Sequence, residues 1–169
     1  VVSMALAHYN GGRNQEFDSA YSDCAQYGKV NFWDERYVHD SEPFEWYYPY
    51  QYFRSILLDK LQLNMNIMIA GCGSSNMLED MAVDGFEQLT GVDFSRVVLN
   101  QMEVRCEDLP QISLQLGTVE DLDYPNEFFD AIVDKALFDS IACSEEGQLK
   151  ITQYVNEVER ILTNTGIFI

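Results

Sequence analysis

The run Ile67-Met68-Ile69-Ala70 opens directly into Gly71-Cys72-Gly73-Ser74-Ser75, and downstream Gly91-Val92-Asp93 closes a second apolar run. Glycines at the end of a buried strand let the backbone approach a ligand closely, because no Cβ stands in the way. A carboxylate about 20 residues further on, at the end of the next strand, can accept hydrogen bonds from ribose hydroxyls. This spacing is the chemistry of a nucleoside site. Taken alone, a Gly-x-Gly is also an ordinary strand-to-helix turn.

Two absences narrow the nucleoside. The window Gly71-Cys72-Gly73-Ser74-Ser75-Asn76 lacks the third glycine that dinucleotide-binding folds use to pack helix on strand beside a pyrophosphate. No Gly-x-x-x-x-Gly-Lys-Ser/Thr string occurs in the chain, which argues against a P-loop. S-adenosylmethionine, which needs a glycine turn and a ribose carboxylate but carries no phosphate, is the ligand this pattern favours. Cys72 reads as a small buried filler, since nothing near it supplies a base for nucleophilic work.

The elements that must position these residues alternate. Strand patterns at residues 67–70, 88–93, 112–116 and 128–134 are separated by helix patterns near 76–82 and from the Ser95 N-cap through Cys106, which predicts an α/β fold with a parallel sheet. A long helix follows, with Ile151, Tyr154, Val155, Val158, Ile161 and Leu162 on one face, and residues 164–166 turn into a strand at 167–169. Upstream, Phe53, Ile56, Leu57 and Leu61 fall at helical spacing and predict a helix over residues 50–63. Residues 1–26 show no sustained period and are expected to form a flexible arm, leaving residues 27–169 as one domain. Because the chain stops inside a strand pattern, further C-terminal strands are expected beyond Ile169.

Composition excludes several function classes. A formal charge of -18 argues against a grip on nucleic acid, which depends on Lys and Arg neutralising phosphates. Between Glu16 and Glu45 eight carboxylates face only Lys29 and Arg36, so a basic protein would be steered to this end, although acidity also serves solubility alone. The two histidines, His8 and His39, are not spaced against cysteine pairs, so no metal site is expected. Cysteines at 24, 72, 106 and 143 show no close pairing and fit free thiols in a reducing compartment, cytosol or nucleus, with the cytoplasm expected. No apolar run approaches the roughly 18 residues of a membrane span, so a soluble protein is expected.

Eleven of the 22 aromatic side chains fall between Tyr27 and Phe53. Within that stretch lie Phe32-Trp33-Asp34-Glu35-Arg36-Tyr37 and Pro43-Phe44-Glu45-Trp46-Tyr47, followed by the glycine turn, Gly91-Val92-Asp93-Phe94-Ser95, Tyr124-Pro125 through Phe129-Asp130, and Asp134-Lys135. In that order these segments resemble the seven-strand S-adenosylmethionine-dependent methyltransferases, and within them the branch of lysine methyltransferases of translation elongation factor 1-alpha. The resemblance runs from about Tyr27 to Ile169. It implies a Rossmann-like doubly wound sheet, ended early here after the fifth strand, and methyl transfer to a protein lysine, with elongation factor 1-alpha as the expected substrate. A small-molecule methyltransferase and a non-catalytic cofactor-binding or partner-binding domain remain open beside it.

The resemblance further implies cofactor contacts from Trp33, Tyr37, Trp46, Gly71, Asp93, Phe94, Thr118, Val119 and Lys135. Gly73 belongs to the same turn. Phe94 would lie against the adenine ring, and the three N-terminal aromatics would cover the sulfonium. Arg36 is the candidate for the carboxylate of the cofactor's amino-acid tail. Lys135 is expected to contribute backbone with its ammonium in solvent. Trp33 and Trp46 would, outside this motif, read as core anchors. Two positions depart from the family. Thr118 stands where Asp usually binds the adenine amino group, which would pass that role to Glu120 or Asp121, and Ala136 stands where the branch carries Gly and is expected to narrow the substrate channel mouth. Channel candidates are Asp134, Phe138, Asp139 and the aromatics of residues 47–50; no general base is assigned.

Overall fold

In the computed structural model, which describes residues 25–169, strand β1 (Asn66–Ala70) lies at the centre of a five-stranded parallel sheet of order β3-β2-β1-β4-β5. Its partners are β2 (Gln88–Asp93) and β4 (Phe129–Asp134), with β3 (Ile112–Leu116) and β5 (Leu162–Phe168) outside them. The apolar run of β1 follows from this place: a strand covered on both faces has no polar side to show. Successive side chains point to opposite faces, so Ile67 and Ile69 enter one core and Met68 and Ala70 the other.

The first core takes α1 (Val30–His39), α2 (Arg54–Lys60), α3 (Met77–Val83) and α4 (Arg96–Arg105) through Trp33, Tyr37, Leu57, Met77, Leu78, Val98 and Met102. The second takes α5 (Leu137–Ala142) and α6 (Gly147–Ile161) through Ile141, Tyr154, Val158 and Ile161. Helices on both faces of a parallel sheet make the α/β fold expected from the alternation, in the doubly wound Rossmann-like form that the resemblance implies. The chain runs outward from β1 through β2 to β3 and returns to place β4 against the other side of β1, where Ala70 pairs with Val92 on one side and Asp134 on the other. In open α/β sheets the ligand crevice lies beyond the C-terminal ends of the strands at such a reversal. Gly71 and Lys135 are the first residues past it.

Several boundaries differ from expectation. The helix expected over residues 50–63 divides into a 3-10 turn (Tyr50–Tyr52) and α2, and ends at Lys60. Residues 30–39, given no element from sequence, form α1. Its mixed pattern hides the period because only Trp33 and Tyr37, four apart, are buried. The turn expected at residues 164–166 is part of β5, which follows α6 directly and shifts register against β4 between Phe129 and Ala131. Val155, expected on the buried face of α6, is exposed. The arm expected over residues 1–26 lies outside the described residues except for Ala25 and Gln26, which belong to a 3-10 turn (Ala25–Gly28). No helix among the described residues is long and apolar enough to cross a membrane.

Candidate active site

The glycine turn is held in a conformation that few side chains tolerate. Gly71 and Gly73 have φ of 61° and 50°, and a Cβ on Gly71 would stand 2.9 Å from Leu137. A Cβ on Gly73 would come within 3.0 Å of the Tyr37 hydroxyl. Both glycines are therefore required by close approach from other elements, Gly71 by the start of α5 and Gly73 by α1.

Asp93 ties this turn to the end of β2. One carboxylate oxygen accepts from the Gly73 amide and the other from the Ser95 amide, each at 2.9 Å. Burial pushes the Asp93 carboxyl up to about 6, and these amide hydrogen bonds oppose the rise. No ion pair among the described residues reaches it. Each oxygen keeps acceptor capacity for a further donor. Ser95, the N-cap of α4 as expected, accepts from the Val98 amide and donates its hydroxyl to Asp34 on α1 at 2.5 Å. Phe94 is half-buried beside it and packs on the first core.

The N-terminal aromatics form one cluster over this turn. Trp33 stacks on Tyr37 with ring centres 5.8 Å apart and meets Trp46 edge-on at 6.2 Å. Burial drives the Tyr37 hydroxyl far above its ordinary range, so it stays a neutral donor. Arg36, the candidate for a cofactor carboxylate, places its guanidinium 4.3 Å from the centre of the Phe44 ring and within 6 Å of Trp33 and Trp46.

Glu45 is the residue that sequence reasoning missed. It accepts from the Ser75 hydroxyl and the Asn76 amide, both at 2.8 Å, and from the Lys135 ammonium. Lys135 also donates to the Trp46 carbonyl. Its ammonium is thus largely withdrawn from solvent in an ion pair, a correction to the solvent position expected for it. The Phe44 amide donates a hydrogen bond to the Ser74 hydroxyl. From the opposite side Arg105 donates to the carbonyls of Ser74 and Ser75. The segment carrying Phe44, Glu45 and Trp46 is therefore strapped across the glycine turn. The motif Pro43-Phe44-Glu45-Trp46-Tyr47 marked the segment in the sequence but not the distant partners of its acid.

The adenine-side candidates follow β3. Val119 is buried and Thr118 exposed, with Thr118 bridged to Asp121 and Glu120 half-buried. Nothing in this geometry assigns the vacated acidic role to Glu120 or Asp121. Cys72 and Cys106 are buried thiols whose surroundings push them up, Cys106 to about 11, so both are inert as nucleophiles.

Of the channel candidates, Asp134 is a helix anchor. It accepts from the Leu137 and Phe138 amides at the start of α5 and from the Tyr154 hydroxyl at 3.0 Å. Its oxygens are committed within the fold, to the start of α5 and to Tyr154. Asp139 has its Oδ2 accepting from the Tyr47 hydroxyl at 2.5 Å. Phe138 is exposed, and so are Tyr47 and Tyr48; Tyr50 instead is buried and donates to Asp84. Ala136 has φ of 76°, so its departure from glycine bears on the backbone between Lys135 and α5 before it bears on any channel.

The profile of the methyltransferase-domain family matches residues 68–169. EEF1A lysine methyltransferase 4 of Mus musculus is 34% identical over 154 residues, covering 85% of this chain and 60% of that protein. The chain thus spans about three fifths of that relative's length. The eEF1A lysine and N-terminal methyltransferase of Homo sapiens is 25% identical over 143 residues, covering 83% of this chain and 20% of its own. Among solved structures, Haemonchus contortus phosphoethanolamine N-methyltransferase 1, in complex with phosphoethanolamine and S-adenosylhomocysteine, superposes with a TM-score of 0.62 at 14% identity, over 85% of this chain and 31% of that one. PH0226 protein from Pyrococcus horikoshii gives 0.59 at 20% identity, over 70% and 50%. A glycine turn braced by Asp93 at the sheet's reversal, together with a family match over most of the described residues, leads to one assignment: the chain belongs to the methyltransferase-domain family.

Proposed function

We propose that this chain is the cofactor-binding part of an S-adenosylmethionine-dependent methyltransferase that acts on a lysine of a protein, elongation factor 1A. The observation that carries the reading is Asp93: a buried carboxylate without a cation partner among the described residues, fixed at the sheet's reversal by the Gly73 amide, with lone pairs left for two more donors. Ribose hydroxyls are such donors. The residues fit the group in a second respect, since the turn at Gly71 and Gly73 has no room for side chains and brings bare backbone to the crevice. The relatives' names supply the substrate, and the acidic chain suits a basic partner.

In this reading Asp93 and the turn backbone hold the nucleoside, Phe94 and Val119 flank the adenine, and Trp33, Tyr37 and Trp46 cover the far end. S-adenosylmethionine, when bound, supplies a methyl group already activated on a sulfonium. What the chain adds is alignment of that group with the acceptor nitrogen. The acceptor lysine, with an ordinary pKa of about 10.4, must lose a proton before its nitrogen can attack. A cytoplasmic location belongs to the same proposal.

Calorimetric titration with S-adenosylmethionine and its demethylated product tests the cofactor. Micromolar binding that Asp93→Ala abolishes is expected. Incubation with purified elongation factor 1A and labelled cofactor tests the substrate; label appearing only in small molecules would overturn the protein acceptor.

A further inference from the structure

Besides Asp93, the acids Glu45, Asp134 and Asp139 stand near the crevice beyond β1 and β4, and the first two are committed. Glu45 serves Lys135, Ser75 and Asn76, and Asp134 serves the start of α5 and Tyr154. The third, Asp139, is half-buried, and among the described residues no Lys, Arg or His pairs with it. The one hydrogen-bond partner of its carboxyl group there is the Tyr47 hydroxyl, 2.5 Å from Oδ2, which leaves Oδ1 open.

The arrangement is held from both ends. Tyr47 follows the strapped residues Glu45 and Trp46 and adopts φ of 62°, a conformation that costs a bulky residue energy and persists only where the surroundings impose it. Asp139 lies in the first turn of α5, whose start Asp134 fixes. Burial and the neighbouring Asp139 push the Tyr47 hydroxyl upward, so it remains the donor in this bond. The neighbouring rings Tyr48 and Phe138 are exposed. A single carboxylate with one open oxygen, on segments that present aromatic faces, is complementary to a primary ammonium on an apolar stem.

We propose that Asp139, oriented by Tyr47, receives the side-chain ammonium of the incoming lysine before it is methylated. This rests on the reading of the site as a lysine methyltransferase. Asp139 touches the substrate; Tyr47 is a positioning residue that keeps Oδ1 turned to the entry.

The test separates this assignment from the reading beneath it. Nα-acetyl-lysine methylamide and its uncharged counterpart Nα-acetyl-norleucine methylamide are titrated into the full chain by NMR, with S-adenosylmethionine affinity measured in parallel. The expected result is preference for the lysine probe, lost by about tenfold in Asp139→Asn and less in Tyr47→Phe, with the norleucine probe and cofactor affinity unmoved. Asp139→Glu restores part of the preference. Equal affinity for the two probes, or a preference that both substitutions leave intact, overturns the assignment. Absent cofactor binding would instead count against the methyltransferase reading.

Discussion

Lys135 donates to Glu45 across 90 residues of sequence, joining the end of β4 to the segment that crosses the glycine turn. Their side chains are 12% and 16% exposed, so removing either leaves the other charge in a partly dry place. Glu45 also satisfies Ser75 and Asn76, which makes it the single point where the strap, the turn and β4 meet. Glu45→Gln is therefore expected to lower unfolding free energy by about 2 to 4 kcal/mol in urea titrations. Pairing it with Lys135→Met should cost less than the sum of the two single changes, because the orphaned charge is gone. Additive effects would show that the ion pair does not couple the two segments.

The Asp93 carboxyl, pushed up to about 6 by burial, makes both stability and ligand affinity depend on pH. Its ordinary value is 3.8, so the folded state binds the proton more tightly than the unfolded chain. The contribution of this group to stability is full below pH 3.8 and is lost as pH rises through about 6, by roughly 3 kcal/mol at most. Cofactor binding runs the other way: ribose donors require the carboxylate, so affinity for S-adenosylmethionine should rise between pH 5 and 7. Asp93→Asn should flatten both dependences and weaken binding. Calorimetry and urea unfolding at several pH values check this, and a binding constant that does not move from pH 5 to 7 would contradict the role of Asp93.

What could be read from the residues alone was whatever local chemistry specifies. Apolar runs such as Ile67 to Ala70 announce a strand covered on both faces, Ser95 announces a cap, and Gly71 and Gly73 announce a tight turn with bare backbone. Glu45 could not be found this way, because its partners lie 30 to 90 residues away and an acid beside Trp46 has no local reason to be buried. Lys135 was misread for the same cause: a lysine's default is solvent, and only the distant carboxylate reverses it. The part Asp134 plays in anchoring α5 was not legible either, since only the folded chain brings Tyr154 and the α5 amides to it.

Ala136 carries a cost that can be recovered. Its φ of 76° places a Cβ in the left-handed region that glycine adopts without strain. Ala136→Gly is expected to stabilise the protein by about 1 kcal/mol, visible as a raised melting temperature. Cofactor affinity should hold or improve, since Lys135 and Leu137 on either side keep their contacts. A destabilised Ala136→Gly would mean that the turn between β4 and α5 is not strained.

Gly73 answers to Tyr37 as well as to Asp93. A methyl group at position 73 would stand 3.0 Å from the Tyr37 hydroxyl in a backbone with φ of 50°, so Gly73→Ala is strained twice. The change should cost about 1 to 3 kcal/mol and reduce cofactor affinity, because moving the Gly73 amide loosens the carboxylate it holds. Tyr37→Phe in the same chain removes the oxygen in conflict but leaves the backbone strain. It should therefore return part of the stability and little of the φ penalty. Thermal unfolding and calorimetry on the two single variants and the double variant separate the two causes. If Tyr37→Phe gives no relief, the contact with α1 is not what requires glycine, and the left-handed backbone alone explains it.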